Sequence, residues 1–188
     1  MPAGEGAMAA ILGMADEKVK AICAEQAQGQ AVQAVNFNSP ERTVIAGQAA
    51  AVQRAADACK AGGAKRAIML PVSAPFHSSL MQPAAERLQA ALADMNFMAP
   101  SIPVVNNVDV AVVADPAAIK AALVRQAAAP VRWVETLRAM QAAGVTHVFE
   151  CGPGKVLAGL TKRCADSLSG GAMNDLAGVE STLALVKG

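Results

Sequence analysis

The stretch AVQAVNFNSPERTVIAG, Ala31 to Gly47, decides the fold. Residues Ala31–Asn38 alternate as a strand, Ser39–Pro40 turns the chain, and Thr43–Gly47 forms a second strand. Upstream, DEKVKAICAEQAQ (Asp16–Gln28) predicts a helix. Asp16 and Glu17 suit its N-terminal end, and Val19, Ile22 and Cys23 form its apolar stripe. Before it, GAMAAILG (Gly6–Gly13) is a short apolar strand. Downstream, QAAAVQRAADACKAG (Gln48–Gly62) predicts a helix ended by Gly62–Gly63, and KRAIMLPV (Lys65–Val72) a last strand. The order β-α-β-β-α-β is the ferredoxin-like split unit.

After Val72 the rhythm changes. Ser79–Met95 predicts a helix that tolerates Pro83 near its first turn, and Ser101–Val110 a strand running into a loop. Asp115 as N-cap and Pro116 at the first helical position open a helix to Ala129. Val131–Gly144 predicts another helix, Val145–Gly152 a buried strand, and Lys155–Gly170 a further helix. This alternation belongs to an α/β layer, but two strands are too few for a sheet covered on both faces. The expectation is a mixed α/β (α+β) chain. As read, the second half looks like part of a larger domain.

Composition excludes several classes of function. The 188 residues carry a formal net charge of +1, without the basic surplus of a nucleic-acid binder. No apolar run reaches the roughly 20 residues of a membrane helix, and the apolar start has no basic segment before it. The four cysteines, Cys23, Cys59, Cys151 and Cys164, form no CxxC pair and have no histidine at metal-ligand spacing. Free thiols in a reducing cytoplasm, and no metal, are the expectation.

Of the two histidines, His77 lies in VSAPFHSSLMQP (Val72–Pro83) and His147 in an apolar strand as a core residue. An imidazole in a proline-stiffened loop either caps the next helix or serves as a general base. A base needs a nucleophile, and the pattern Gly-Xaa-Ser-Xaa-Gly occurs nowhere. Ser73, Ser78 and Ser79 are near in sequence but sit on no such turn. Cys151 is a candidate thiol or a buried small apolar residue. The segment ECGPGKVLAGL is a strand, a glycine-rich turn and a helix, either a tight turn or an anion site. Asn36, Asn38, Asn106 and Asn107 stand at strand ends, where Asn makes turns or lines a polar pocket.

Six segments carry a resemblance: GAMAAILG, VNFNSP with TVIAG, LPVSAPFHSSLM, IPVVNNVDV, LVRQ with PVRW, and ECGPGKVLAGL. In this order they resemble the C-terminal part of the malonyl-CoA:acyl-carrier-protein transacylases, acyltransferases of fatty-acid synthesis. The resemblance implies a small ferredoxin-like subdomain, 1–80, inserted into a hydrolase-like α/β acyltransferase domain, of which 81–188 is the C-terminal part. It places the family's catalytic base on His77. The residue whose main-chain carbonyl holds that imidazole falls on Gln126, and an asparagine near the acyl pocket on Asn107. Asn36 and Asn38 join it as substrate-binding candidates. The implied substrates and partners are malonyl-CoA and acyl carrier protein, without a cofactor.

The family's serine, on a Gly-His-Ser-Xaa-Gly elbow, has no counterpart in these residues, nor do its oxyanion glutamine and malonyl-binding arginine. The expectation is a fragment, inactive alone, that exposes apolar surface after Leu80 and works with a missing N-terminal half. Two other readings stand beside it: a carrier-protein-binding module without chemistry, and a cysteine hydrolase built on Cys151.

Overall fold

The computed structural model describes residues 4–72 and 74–187; Ser73 lies outside them. The chain divides into two compact units, Met1–Trp133 and Val134–Gly188. The helices that follow Leu80 therefore cluster with the first unit as far as Trp133.

The first unit opens with β1 (Gly6–Leu12), α1 (Asp16–Gln26), β2 (Val32–Ser39), β3 (Arg42–Gln48), α2 (Ala49–Ala61) and β4 (Arg66–Met69). The strands form one antiparallel sheet in the order β2-β3-β1-β4, the ferredoxin-like arrangement expected. Ser39 pairs with Arg42, so Pro40 and Glu41 make the two-residue turn, with Glu41 at φ 56. Alternation along β1 explains two cores. Ala9 and Ile11 point to one face and join Ile45, Val19, Cys23, Val52 and Cys59 from β3, α1 and α2. Met8 and Ala10 point to the other and join Val35, Val44 and Ala46. Arg54 of α2 closes α1: its Nη2 donates to the Gln26 carbonyl at 2.9 Å, placing a cation at the negative end of that helix.

A 3-10 turn (Ser79–Met81) leads into α3 (Gln82–Ala93), with Pro83 in its first turn. The strand expected over Ser101–Val110 shrinks to β5 (Val105–Asn106), paired with β6 (Ala111–Val112). Pro100 and Pro103 lack the N–H a ladder needs, which keeps the preceding stretch irregular. α4 (Pro116–Ala127) starts as expected, the Asp115 carboxylate accepting the Ala118 N–H at 2.8 Å. A loop after α4 returns to β2: Phe37 N–H donates to the Val131 carbonyl, and Val131 N–H to that of Val35.

The second unit holds α5 (Trp133–Ala142, beginning at the boundary), β7 (His147–Cys151), α6 (Val156–Cys164), β8 (Ser169–Met173) and α7 (Leu176–Lys187). Here the expectation of one helix to Gly170 is corrected. The helix ends at Cys164, and Ser169–Met173 pairs in parallel with β7. Gly170 makes this possible: a Cβ there would lie 1.8 Å from the Val148 carbonyl oxygen. With β5, β6, β7 and β8, the described residues after Leu80 form four short strands rather than two. His147 and Cys151 are exposed, not core residues, because each lies at an end of a strand paired to β8 alone. Large apolar side chains stand in solvent after Leu80, Met98 and Ile102 in the first unit, Leu176 and Val186 in the second. No helix among the described residues is long and apolar enough to cross a membrane.

Candidate active site

His77 is half-buried, in the loop between β4 and the 3-10 turn, with φ 62. That is the left-handed region, which a non-glycine residue keeps only when its surroundings hold it. Its Nδ1 lies 3.2 Å from the main-chain oxygen of Gln126. A carbonyl oxygen only accepts, so Nδ1 carries the proton and donates. In the neutral ring the lone pair is then on Nε2.

The reason this carbonyl is open lies in the sequence of α4. Gln126 sits in the last turn, where helix carbonyls lack an intrahelical donor. The donor four residues on would be Pro130, which has no N–H, and the residue before a proline is biased away from helix. The chain therefore leaves the helix with the Gln126 oxygen free for the imidazole.

The asparagines divide by role. Asn106 is a turn-maker: its Nδ2 donates to the Ala111 carbonyl at 3.1 Å, and its Oδ1 accepts the Asp109 N–H at 2.8 Å. Asn107, next in the same turn, has a buried Oδ1 with no hydrogen-bond partner. A buried acceptor without a donor costs free energy that a bound donor would recover. Val110 closes this turn at φ 55, a strained conformation for a β-branched residue. Asn36 and Asn38 lie on β2, where Asn36 bridges to Val131 in the return loop after α4. The loop that follows the α4 turn carrying Gln126 thus runs back alongside the asparagine strand.

Two candidates separate from this cluster. The α6 N-terminus after ECGPGK is already occupied, because the Glu150 carboxylate accepts the Ala158 N–H at 2.9 Å. An anion of the chain's own fills the place where a ligand would bind. Cys151 stands exposed at the end of β7, and in the same unit His147 Nδ1 faces the Thr146 hydroxyl at 2.9 Å. The remaining thiols are buried. Burial, with the neighbouring Cys59, pushes Cys23 up to about 12, and burial also raises Cys59 and Cys164. Among the described residues no group of three or more His, Cys, Asp or Glu could hold a metal ion. Sequence reasoning missed Pro130 and Glu150. The first was readable as a proline four residues after Gln126, the second as a carboxylate eight residues before the Ala158 N–H.

The acyl transferase domain family matches residues 1–181. The chain belongs to that family. Among its relatives, the malonyl CoA-acyl carrier protein transacylase of Salmonella typhimurium is 52% identical over 183 residues, 97% of this chain and 59% of the relative. The structure of the acyl-carrier-protein S-malonyltransferase of Burkholderia pseudomallei is 57% identical, with a TM-score of 0.95 over 98% of this chain and 60% of that one. A type II PKS acyl-carrier protein in complex with its malonyl-transacylase matches at 51% identity and TM-score 0.96, over the same shares. This acyl transferase domain thus spans about 60% of the length of the relatives it matches.

Proposed function

We propose that this chain supplies the acid–base half of malonyl transfer from CoA to the phosphopantetheine thiol of acyl carrier protein. The observation that carries the reading is His77 Nδ1 against the Gln126 carbonyl, which leaves Nε2 free to take a proton. The 188 residues contain no Gly-Xaa-Ser-Xaa-Gly, so in this reading the serine comes from residues outside them. Acylation runs as follows. Nε2 takes the serine proton as the oxygen attacks the malonyl thioester carbon. The tetrahedral adduct collapses, the carbon–sulfur bond breaks, and His77 protonates the departing CoA thiolate. In the second half the carrier thiol gives its proton to Nε2 and attacks the seryl ester, and His77 returns the proton to the serine. In both halves Nδ1 keeps its hydrogen bond to the Gln126 carbonyl, which holds the ring where a triad would use an aspartate. Asn107 offers its unpaired acceptor to a pantetheine amide N–H, and Asn36 and Asn38 line the polar side of that site. The chemistry is proton and acyl transfer and calls for no cofactor or metal.

Alone, the chain is inactive in transfer, because a base without its nucleophile contributes almost nothing. The test mixes it with a polypeptide carrying the serine elbow of a relative and follows radiolabel from malonyl-CoA. Seryl-ester formation should depend on both partners, and His77→Ala should lower it by about 10²–10⁴-fold. Retained burst acylation in His77→Ala, or turnover by the chain alone, overturns the reading. A second reading, carrier-protein docking without chemistry, is favoured for the isolated chain by the missing elbow; it expects binding to carrier protein at low salt that weakens as salt rises.

A further inference from the structure

We propose that Gln33 and Ser78 are positioning residues, a clamp on the two sides of His77 that holds its imidazole in one tautomer. The proposal rests on the assignment of His77 as the base. Ser78 is fully buried, and its hydroxyl donates to the Pro75 carbonyl at 2.6 Å, drawing the two ends of the Pro75–Ser78 turn together around His77. Pro75 in turn is seated on β1: a Cβ at Gly6 would lie 2.5 Å from its Cδ, so only glycine admits this approach. The inner side of the loop is thereby fixed to the small sheet.

The outer side is held by Gln33. Its side chain, exposed on β2, accepts the Ser79 main-chain N–H at 2.7 Å, 46 residues along the chain. Ser79 directly follows the Ser78–Pro75 contact, so the two grips close on His77 from before and after. Both grips fall on main-chain atoms, the Pro75 carbonyl and the Ser79 N–H, so they act through the backbone. The backbone at His77 is at φ 62, a conformation that relaxes toward negative φ when its neighbours let go. Such relaxation turns Nδ1 away from the Gln126 oxygen. The preference for a protonated Nδ1, and with it a bare Nε2, then disappears. Gln33 shares β2 with Asn36 and Asn38, and through it the ferredoxin-like sheet takes part in orienting the base rather than standing as a passive neighbour.

The two-histidine composition makes the test direct. The full chain carrying His147→Gln has a single imidazole, whose tautomer is read from long-range ¹⁵N–¹H NMR spectra above its titration. The parent should show a protonated Nδ1 and a bare Nε2. Gln33→Ala and Ser78→Ala should each lower the tautomer ratio by about five- to tenfold, the worth of one hydrogen bond. Gln33→Glu keeps an acceptor for the Ser79 N–H and should restore the ratio, which a merely structural role would not do. An unchanged ratio in both alanine variants, whatever their melting temperature, overturns the clamp and leaves the base assignment standing. A Gln33→Ala loss that glutamate fails to restore also counts against it. If the parent itself mixes tautomers, the clamp and the base assignment fall together. Gln33 is exposed, so its variants fold even where Ser78→Ala does not.

Discussion

In the first unit, β1 and β3 run down the middle of a sheet whose side chains are buried on both faces, Ile11 and Ile45 on one, Val35 and Ala46 on the other. In the second, β7 and β8 pair with each other, and the unit's buried side chains are few: Leu137, Leu160 and Leu168 among them. Leu176 stands 73% exposed and Val186 71%. Parallel strands ordinarily lie in sheets covered on both faces, and a two-stranded sheet is marginal in water. The contrast assigns stability to the first unit. It leaves the second with apolar surface of the kind that marks association sites. The His77 loop belongs to the first unit, tied to its sheet through Gly6 and Gln33.

Labelling of the four thiols should separate the two units by the largest margin. Cys151 is exposed and should react with iodoacetamide at the rate of an unstructured cysteine; a faster rate would revive a nucleophilic role. Cys23 and Cys59 lie in the sheet–helix core, held protonated by burial, and react only through opening of the first unit. Their labelling should be slower by about 10³-fold or more. Cys164, buried in the second unit, should fall between. Equal rates for Cys164 and Cys23 would mean that the two units open together and that the contrast fails.

Truncations come next. Ile45→Ala removes a fully buried side chain and should cost about 2–5 kcal/mol by denaturant unfolding. Val186→Ser, on the exposed face of α7, should change stability by less than about 0.5 kcal/mol and reduce self-association. A large loss at Val186 would show that this face is covered in solution.

These contrasts explain what was legible. The ferredoxin-like half reads directly because alternation in GAMAAIL and the stripe Val19, Ile22, Cys23 serve one core, and local pattern and tertiary burial agree. The helix start at Asp115–Pro116 reads equally well. The pairing of His77 with Gln126 does not, since no periodicity links residues 49 apart; it came from the resemblance. β8 was hidden because SGGAM has almost no side chains to pattern, and Gly170 is chosen for backbone approach. His147 and Cys151 looked like core because an apolar strand suggests burial, and burial depends on neighbours the pattern cannot name.

Alkaline pH gives a smaller effect on the first unit. Cys23 has an ordinary value of 9.0 and is pushed to about 12 in the fold. The folded thiol keeps its proton where the unfolded one loses it. The contribution is therefore complete below pH 9 and is lost as pH rises from 9 toward 12. At pH 10 the parent should have lost about 1 kcal/mol more, relative to pH 8, than Cys23→Ala. Parallel pH profiles for the two would remove the thiol from the account.

The smallest effect compares the carboxylates at two helix starts. Asp115 caps α4 through a side-chain oxygen, and asparagine caps as well as aspartate, so Asp115→Asn should be nearly silent. Glu150 reaches α6 from the end of β7 and offers its charge to the helix N-terminus. Glu150→Gln keeps an acceptor and loses the charge, worth about 0.3–1 kcal/mol. Because Cys164 closes α6, its labelling reports this loss and should quicken by about two- to fivefold, while Cys23 and Cys59 stay unchanged. The same assay settles who owns that helix end. Inorganic phosphate should slow Cys164 labelling in Glu150→Gln and not in the parent, where the site is filled. Protection of the parent by phosphate would mean that Glu150 yields to a ligand and that the glycine-rich turn is a binding site after all.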